Sequence, residues 1–483
     1  MTRFDAHPSL SAADRDFAAR IAEAFDALQG IRRQNVRYAE HRYDPPRMDG
    51  WPTLQLDDVS GIPFLQDVLG VEFYQLRALV RAREGDTVAA TCPDMPGYRS
   101  YNRDHLGFGQ AHYLYAAPTA SPVKVAEACR HGESFERLIA LAQQGGGLVL
   151  HPYMGIESVW ALAEDLANAA GVGVGVKAPP PPVCWFANDK IHLSDLASAM
   201  LGPGAIMPSF VGDSAAALSL RLVQLAHGAS EVGLKMARCA SAMGNAVFDA
   251  RWIHEAPFGE VLDAVETFLL QKEWSQGEQV HAVAWESTDL SPSSQLWIPP
   301  LGHGEVQLDG LYEQLLEGHE KVFLGSIPAR LPDVISAFMA RSSLMLGTAY
   351  QHLGYVGRCS FDFIVIGDGS VRFVECNGRW GGTSTPMHLM DRVFPNGRPP
   401  YRARDYVVPS LADKPFEALA EVLGDALYDV RTGRGRFIVY NVGCMNKYGK
   451  FDVIAIGDDI EDATDALEQD LAGIFAAAGH RFE

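Results

Sequence analysis

Asp362, Glu375 and Asn377 are the residues whose types and spacing best suit a chemical task. Residues 360–366 (Ser-Phe-Asp-Phe-Ile-Val-Ile) are rich in strand formers. Gly367-Asp368-Gly369-Ser370 reads as a hairpin turn, and residues 371–377 as the returning strand. Antiparallel pairing brings Asp362 near Glu375 and Asn377. The last two stand two residues apart and so share a face. Two carboxylates and one amide oxygen on one face form a hard-oxygen site suited to magnesium, which completes its octahedron with water and phosphate oxygens. A hairpin whose polar face is merely wet is the competing reading. Against it, Asp362 is flanked by Phe361 and Phe363, and Glu375 follows Phe373 and Val374. Carboxylates set in apolar strands need a partner to offset desolvation.

The next residues add to this. Arg379 keeps the parity of Glu375 and Asn377, and an arginine beside a metal–triphosphate site stabilises charge on a transferring phosphoryl group. Gly381-Gly382-Thr383-Ser384 offers backbone amides that glycine lets a substrate approach. Cys376 alternates to the opposite face, which assigns it to core packing.

The elements that must position these residues follow from periodicity. Residues 1–45 read as a helical arm, with Phe17, Ile21, Phe25 and Leu28 at helical spacing and Ser11 as cap. Residues 46–178 read as a small α/β unit. Residues 72–77 are a helix or strand, 86–91 and 147–152 are strands, and 156–170 form a helix, the βα unit of an open parallel sheet. Gly171-Val172-Gly173-Val174-Gly175-Val176 lacks GxGxxG spacing and is expected to be a flexible or tightly turning segment. The proline run 179–182 is the best domain boundary. Residues 183–405 alternate strands and helices around a lid at about 205–275. Residues 406–483 are a closing α+β piece, with strands at 435–440 and 450–456 and a last helix over 461–478.

Composition bounds the function. A chain of 483 residues suits two to four domains, and a net charge of −20 argues against nucleic-acid or anionic-membrane partners. Seven cysteines without a CxxC pair suggest reduced thiols and a cytoplasmic setting. No leader-like start and no apolar run long enough to span a bilayer is apparent.

In its motifs the chain resembles the ATP-grasp superfamily. Asp362, Glu375 and Asn377 match the D…ExN metal triad, and Arg379 the arginine that often follows. Asn188-Asp189-Lys190, followed by a helix over 193–201, resembles the first ATP-binding lysine at a strand end. Residues 232–236 resemble the strand carrying the second lysine, Lys235. Ser241, Gly244 and Asn245 resemble the small-residue flap over the phosphates. Residues 267–274 resemble the hinge strand that holds adenine through Glu273 and Trp274, and Glu278 the acid that holds ribose. Lys272 stands where the hinge usually has a glutamate, and the flap has a single glycine.

More narrowly, Val88 to Pro93, Asn188-Asp189-Lys190 and Glu375 to Ser384 are similar to the peptide ligases related to the pheganomycin-forming enzyme. The resemblance implies an ATP-grasp fold of α/β (α+β) class, with an N-terminal Rossmann-like pre-ATP-grasp domain and a small C-terminal α+β domain. It implies ATP and Mg2+ (or Mn2+) and a carboxylate–amine ligase. ATP would convert a carboxylate to an acyl phosphate, and an amine would displace phosphate to give an amide. The substrates would be an amino acid or peptide in natural-product biosynthesis, with a homodimer possible. Lys190 and Lys235 would neutralise the triphosphate, Arg379 the phosphoryl group. Arg358, Thr383, Ser384 and Arg99 are substrate candidates, together with His352; packing at a domain interface is the competing reading for Arg99. The alternatives are an ATP-grasp carboxylase, a phosphotransferase, or a module that binds ATP without turnover.

Overall fold

The computed structural model describes residues 8–64, 70–239, 243–286, 288, 290–317 and 322–482. Three sheets organise the chain. The first holds five parallel strands in the order 112–115, 87–90, 53–56, 148–152, 174–176. Strand order reverses beside the first strand of the chain, the doubly wound pattern. Helix Glu157–Ala170 turns Val159, Leu162, Ala163 and Leu166 onto the sheet's core. Residues 71–80 are a 3-10 helix rather than a strand.

The Gly171–Val176 stretch departs from the expected loop. Gly171, at φ +67°, ends the preceding helix, and Val174–Val176 is the edge strand of the sheet. Gly175 is glycine because a Cβ there would lie 2.1 Å from Met48 Sδ. The glycines permit close packing, not flexibility. The proline run is also ordered: Pro180 caps and Pro181 begins helix Pro181–Ala187, where proline loses no hydrogen bond.

The second sheet has four antiparallel strands in the order 209–212, 280–285, 231–236, 245–249. Helices Ala215–Ala226 and Phe258–Gln271 share its apolar core, through Leu218, Leu222, Val261 and Val265.

The third sheet has eight strands, in the order 371–377, 357–365, 292–298, 307–317, 322–328, 401–407, 450–456, 437–440. Strand Tyr401–Val407 crosses residue 405, so the closing α+β segment extends the same sheet. Helix Asp333–His352 covers one face, and the N-terminal helix Ala12–Gln29, capped by Ser11, lies against it through an Arg341–Asp14 ion pair of 2.5 Å. The class is α/β (α+β): a parallel-sheet domain joined to two antiparallel sheets. Among the described residues no helix is long and apolar enough to cross a membrane.

Candidate functional site

A cavity of about 660 Å³ is lined by residues of all three sheets or the loops that leave them. Its floor is the expected hairpin. Gly357–Val365 pairs with Val371–Asn377, with Asp362 opposite Glu375 and a bulge just after Asp362. On the first strand the alternation holds, and on the second it switches at the bulge: Phe361, Phe363, Val365, Phe373 and Cys376 join the core, while Asp362, Glu375 and Asn377 line the cavity. Cys376 Sγ lies 3.5 Å from Cys359 Sγ inside that core, as its parity predicts.

The electrostatics of the three polar residues suit a cation. Burial, and then the neighbouring Glu375 charge, push the Asp362 carboxyl well above its usual range. Asn377 Nδ2 donates to Asp362 Oδ2 at 2.9 Å. Burial also opposes the Glu375 charge, but Lys190 outweighs it, with Nζ 3.0 Å from Oε2. Among the described residues no three His, Cys, Asp or Glu side chains gather, so a cation here would rest on two carboxylates and one amide oxygen. That donor set is hard and incomplete, and fits magnesium that takes its remaining ligands from phosphate and water.

Lys190 is the first residue of helix Lys190–Leu201, whose N-cap, Asp189, accepts from Ile191 N and His192 N. The expected strand before it is absent: residues 181–187 form a helix, because prolines 180 and 181 favour a helix start. Lys190 is only 4% exposed, and its backbone N donates to Ala237 O at 2.9 Å, tying it to the end of strand Glu231–Met236. Lys235 is on that strand, as expected. It lies 4.9 Å from the Trp285 ring centroid, opposite His281. Burial, then the Lys190 charge, lower its pKa to about 8.

Arg379 lines the cavity and donates from Nη1 to Asn188 Oδ1 at 3.0 Å. The same oxygen accepts from Gly378 N at 3.1 Å, and a Cβ on Gly378 would lie 2.7 Å from Asn188 Nδ2. Glycine is thus required where strand Val371–Asn377 runs on to meet Asn188. Arg379 Nε is buried without a hydrogen-bond partner among the described residues.

The remaining expectations divide. Asn245 and Thr383 line the cavity. Gly244 lies behind its wall, with its carbonyl accepting from Met236 N, and Ser384 Oγ accepts from Gly381 N at 2.6 Å to brace the loop. Ser241 lies outside the described residues. Arg358 and Arg99 do not line the cavity; they pair with Asp309 and Asp94. His352 is likewise remote, at the end of helix Asp333–His352.

The expected adenine hinge is corrected. Residues 258–271 are helix, with Val261, Val265, Phe268 and Leu269 buried at helical spacing. Glu273, Trp274 and Glu278 follow it and do not line the cavity. Trp274 Nε1 donates to Glu278 O, and the Glu278 carboxylate accepts from Ser275 N, so the three make a local turn. The strand that reaches the cavity is Val280–Trp285. Trp285 and Glu286 line it where the chain passes from the four-stranded to the eight-stranded sheet. The β-rich run Val-His-Ala-Val-Ala-Trp was the sequence signal for it. Sequence reasoning also missed Gln314, which hydrogen-bonds Asp362, and Tyr74, Arg77, Asp405 and Lys450 elsewhere in the lining.

Residues 75–167 match the pre-ATP-grasp domain family. The structure is similar to N5-carboxyaminoimidazole ribonucleotide synthetase solved with ADP, at a TM-score of 0.52 and 12% identity, covering 89% of this chain and 97% of that one. It is also similar to N5-carboxyaminoimidazole synthase from Aspergillus clavatus, solved with ADP and 5-aminoimidazole ribonucleotide, at a TM-score of 0.50 and 14% identity, covering 88% and 98%. At these identities the likeness is one of fold. No curated protein matches the chain in sequence.

Proposed function

We propose that this chain is an ATP-dependent carboxylate–amine ligase of ATP-grasp type that makes an amide or peptide bond through an acyl phosphate. The observation that carries the proposal is the convergence of Lys190, Lys235, Asp362, Glu375, Asn377 and Arg379 on one cavity. Both solved relatives named above hold ADP. Trp285 offers an aromatic face and Glu286 an acceptor on the nucleoside side. Lys190 and Lys235 neutralise phosphate oxygens as point charges. Asp362, Glu375 and Asn377 would hold magnesium, which when bound shields the β- and γ-phosphate oxygens.

The substrate carboxylate attacks the γ-phosphorus, and the bond to ADP breaks. The amine nitrogen then attacks the acyl carbon, and inorganic phosphate leaves with the bonding pair. Arg379 faces the charge that develops in both steps. The far end of the cavity suits an amino acid or small peptide. Arg77 stacks 4.8 Å from the Tyr74 ring and 4.7 Å from the Tyr153 ring, while Lys450 Nζ sits 2.7 Å from Asp405 Oδ2. Cationic and anionic groups side by side complement a zwitterion. A role in natural-product biosynthesis and a reduced, cytoplasmic setting belong to the same proposal; all seven cysteines are free.

The test is an assay of ADP and phosphate release with pooled amino acids and small peptides. Stoichiometric ADP and phosphate, dependent on both a carboxylate and an amine, support ligation. ADP without phosphate indicates a phosphotransferase, and AMP with pyrophosphate sinks the proposal.

A further inference from the structure

Behind the glycine loop of the cavity, the chain builds a second, separate cluster. Six side chains alternate aromatic and cationic: Tyr43, Lys177, Trp297, Arg358, Trp380 and Arg81. Lys177 Nζ lies 5.3 Å from the Tyr43 ring and 5.1 Å from the Trp297 ring. Arg358 lies 5.7 Å from the Trp297 ring and 5.3 Å from the Trp380 ring, and Arg81 is 4.8 Å from Trp380 on its other flank. His151 and His388 meet the Trp380 ring nearly edge-on, at 5.7 Å and 5.3 Å. None of these eight residues lines the large cavity. Trp380 is the partition, since the next residue, Gly381, does line it.

The cluster comes from five elements that the fold brings together. Lys177 follows edge strand Val174–Val176 of the parallel sheet, and His151 lies on strand Leu148–Pro152. Arg358 and Trp297 face each other in register on two strands of the eight-stranded sheet. His388 comes from helix Ser384–Val393.

Positive charge in this cluster exceeds its counter-charge. Asp57 serves both Arg81, at 2.5 Å, and Arg77, at 3.7 Å. Asp309 serves Arg358. Asp86 is turned to Gln55 and to the backbone N of Arg83. Among the described residues no carboxylate lies within ion-pair distance of Lys177. Two buried nitrogens here also lack a partner among the described residues. Arg358 is 9% exposed and its Nε has no partner; His151 is 8% exposed and its Nε2 has none. Burial, then Arg83 and Arg358, hold the Lys177 amine down to about 8, against a weaker opposing pull from Asp86. Three cations thus share two carboxylates, and a largely buried cation without its own counter-ion is costly, so an anion reaching Lys177 and the free Arg358 Nε would be stabilised here. Lys177, Trp297 and His388 are partly exposed, which leaves the cluster open on one side.

We propose that this cluster is a second oxyanion site, separate from the nucleotide cavity, that takes the carboxylate or phosphate group of a small molecule with a planar body. Arg358 supplies fork donors for the oxyanion, Lys177 a point charge, and the partly exposed Trp297 a flat wall for the rest of the ligand.

The test is calorimetric titration of the full chain with benzoate and, separately, with inorganic phosphate. Lys235→Met serves as the background that weakens phosphate binding in the nucleotide cavity. The expected result is saturable binding of at least one probe that persists in Lys235→Met. It should weaken about tenfold or more in Arg358→Gln, as loss of a charged hydrogen-bond donor predicts. Because Arg358→Gln strands Asp309, Lys177→Met is the second variant; it breaks no ion pair and should weaken the same probe. Preference for benzoate assigns a carboxylate ligand and preference for phosphate a phosphoryl one. Absence of binding by both probes, or equal affinity in folded Lys177→Met and Arg358→Gln, overturns the proposal.

Discussion

Lys190 Nζ and Glu375 Oε2 lie 3.0 Å apart, joining the helix start at residue 190 to the outermost strand of the eight-stranded sheet. In the free protein this ion pair holds together two groups that the proposed reaction uses separately, one on phosphate and one on metal. Lys190→Met leaves the Glu375 carboxylate without its main partner. It should lower stability by about 1–3 kcal/mol in urea unfolding and raise the dissociation constant for ATP. Glu375→Gln keeps the shape and removes the charge, so turnover should vanish while the circular dichroism spectrum is kept. Full turnover in that variant would refute the metal assignment.

Lys235 titrates near 8 in the free protein because burial and Lys190 oppose its charge. A bound triphosphate favours the charged amine and raises its pKa. Above pH about 8, nucleotide binding should therefore take up a proton. Calorimetry in two buffers of different ionisation enthalpy reads that uptake. It should disappear in Lys235→Met.

His281, opposite Lys235, gives a stability signature. Burial, then Lys235 and Lys190, lower its pKa to about 4, against about 6.5 in an unfolded chain. The folded state therefore favours the neutral ring. That contribution is intact above about 6.5 and is lost as pH falls from there toward 4, because the unfolded chain binds the proton first. Between pH about 7 and about 5 the wild type should lose roughly 2 kcal/mol more than His281→Gln. Parallel pH profiles for the two proteins would show that His281 does not supply this term.

The proposed nucleoside side turns on two acids that sequence alone would rank the other way. Glu286→Ala should weaken ATP binding about tenfold or more, as loss of a charged acceptor predicts. Glu278→Ala should leave ATP affinity unchanged, since its carboxylate braces the 275–278 turn outside the cavity. Equilibrium binding of a fluorescent ATP analogue separates the two. A larger effect at Glu278 would restore the original hinge.

The contrast between those acids shows where sequence reasoning works. The hairpin that carries Asp362 was legible because period-two alternation around Asp362 and a glycine-rich turn determine pairing and partner together. The hinge was not. The neighbouring pair Leu269-Leu270 mimics a short strand, and only the spacing of Val261, Val265, Phe268 and Leu269 shows a helix. Arg358 shares the parity of Asp362, yet four residues of extended chain carry it about 13 Å away. Parity gives the face of a strand but not the position along it. The far end of the cavity was illegible for another reason. Tyr74 and Arg77 come from the first domain, and Asp405 and Lys450 from near the C-terminus, so no local pattern links them.

The eight-stranded sheet has a mechanical consequence. Hydrogen-bonded ladders run unbroken from Asp362 and Glu375 at one edge to the strand Phe437–Tyr440 at the other, so the acids sit on the rim of a stiff plate. The four-stranded sheet carrying Lys235 belongs to a different ladder, and the chain passes between the two plates near residues 206 and 286. Lys190 is the rivet between the plates, its backbone N on Ala237 O and its amine on Glu375.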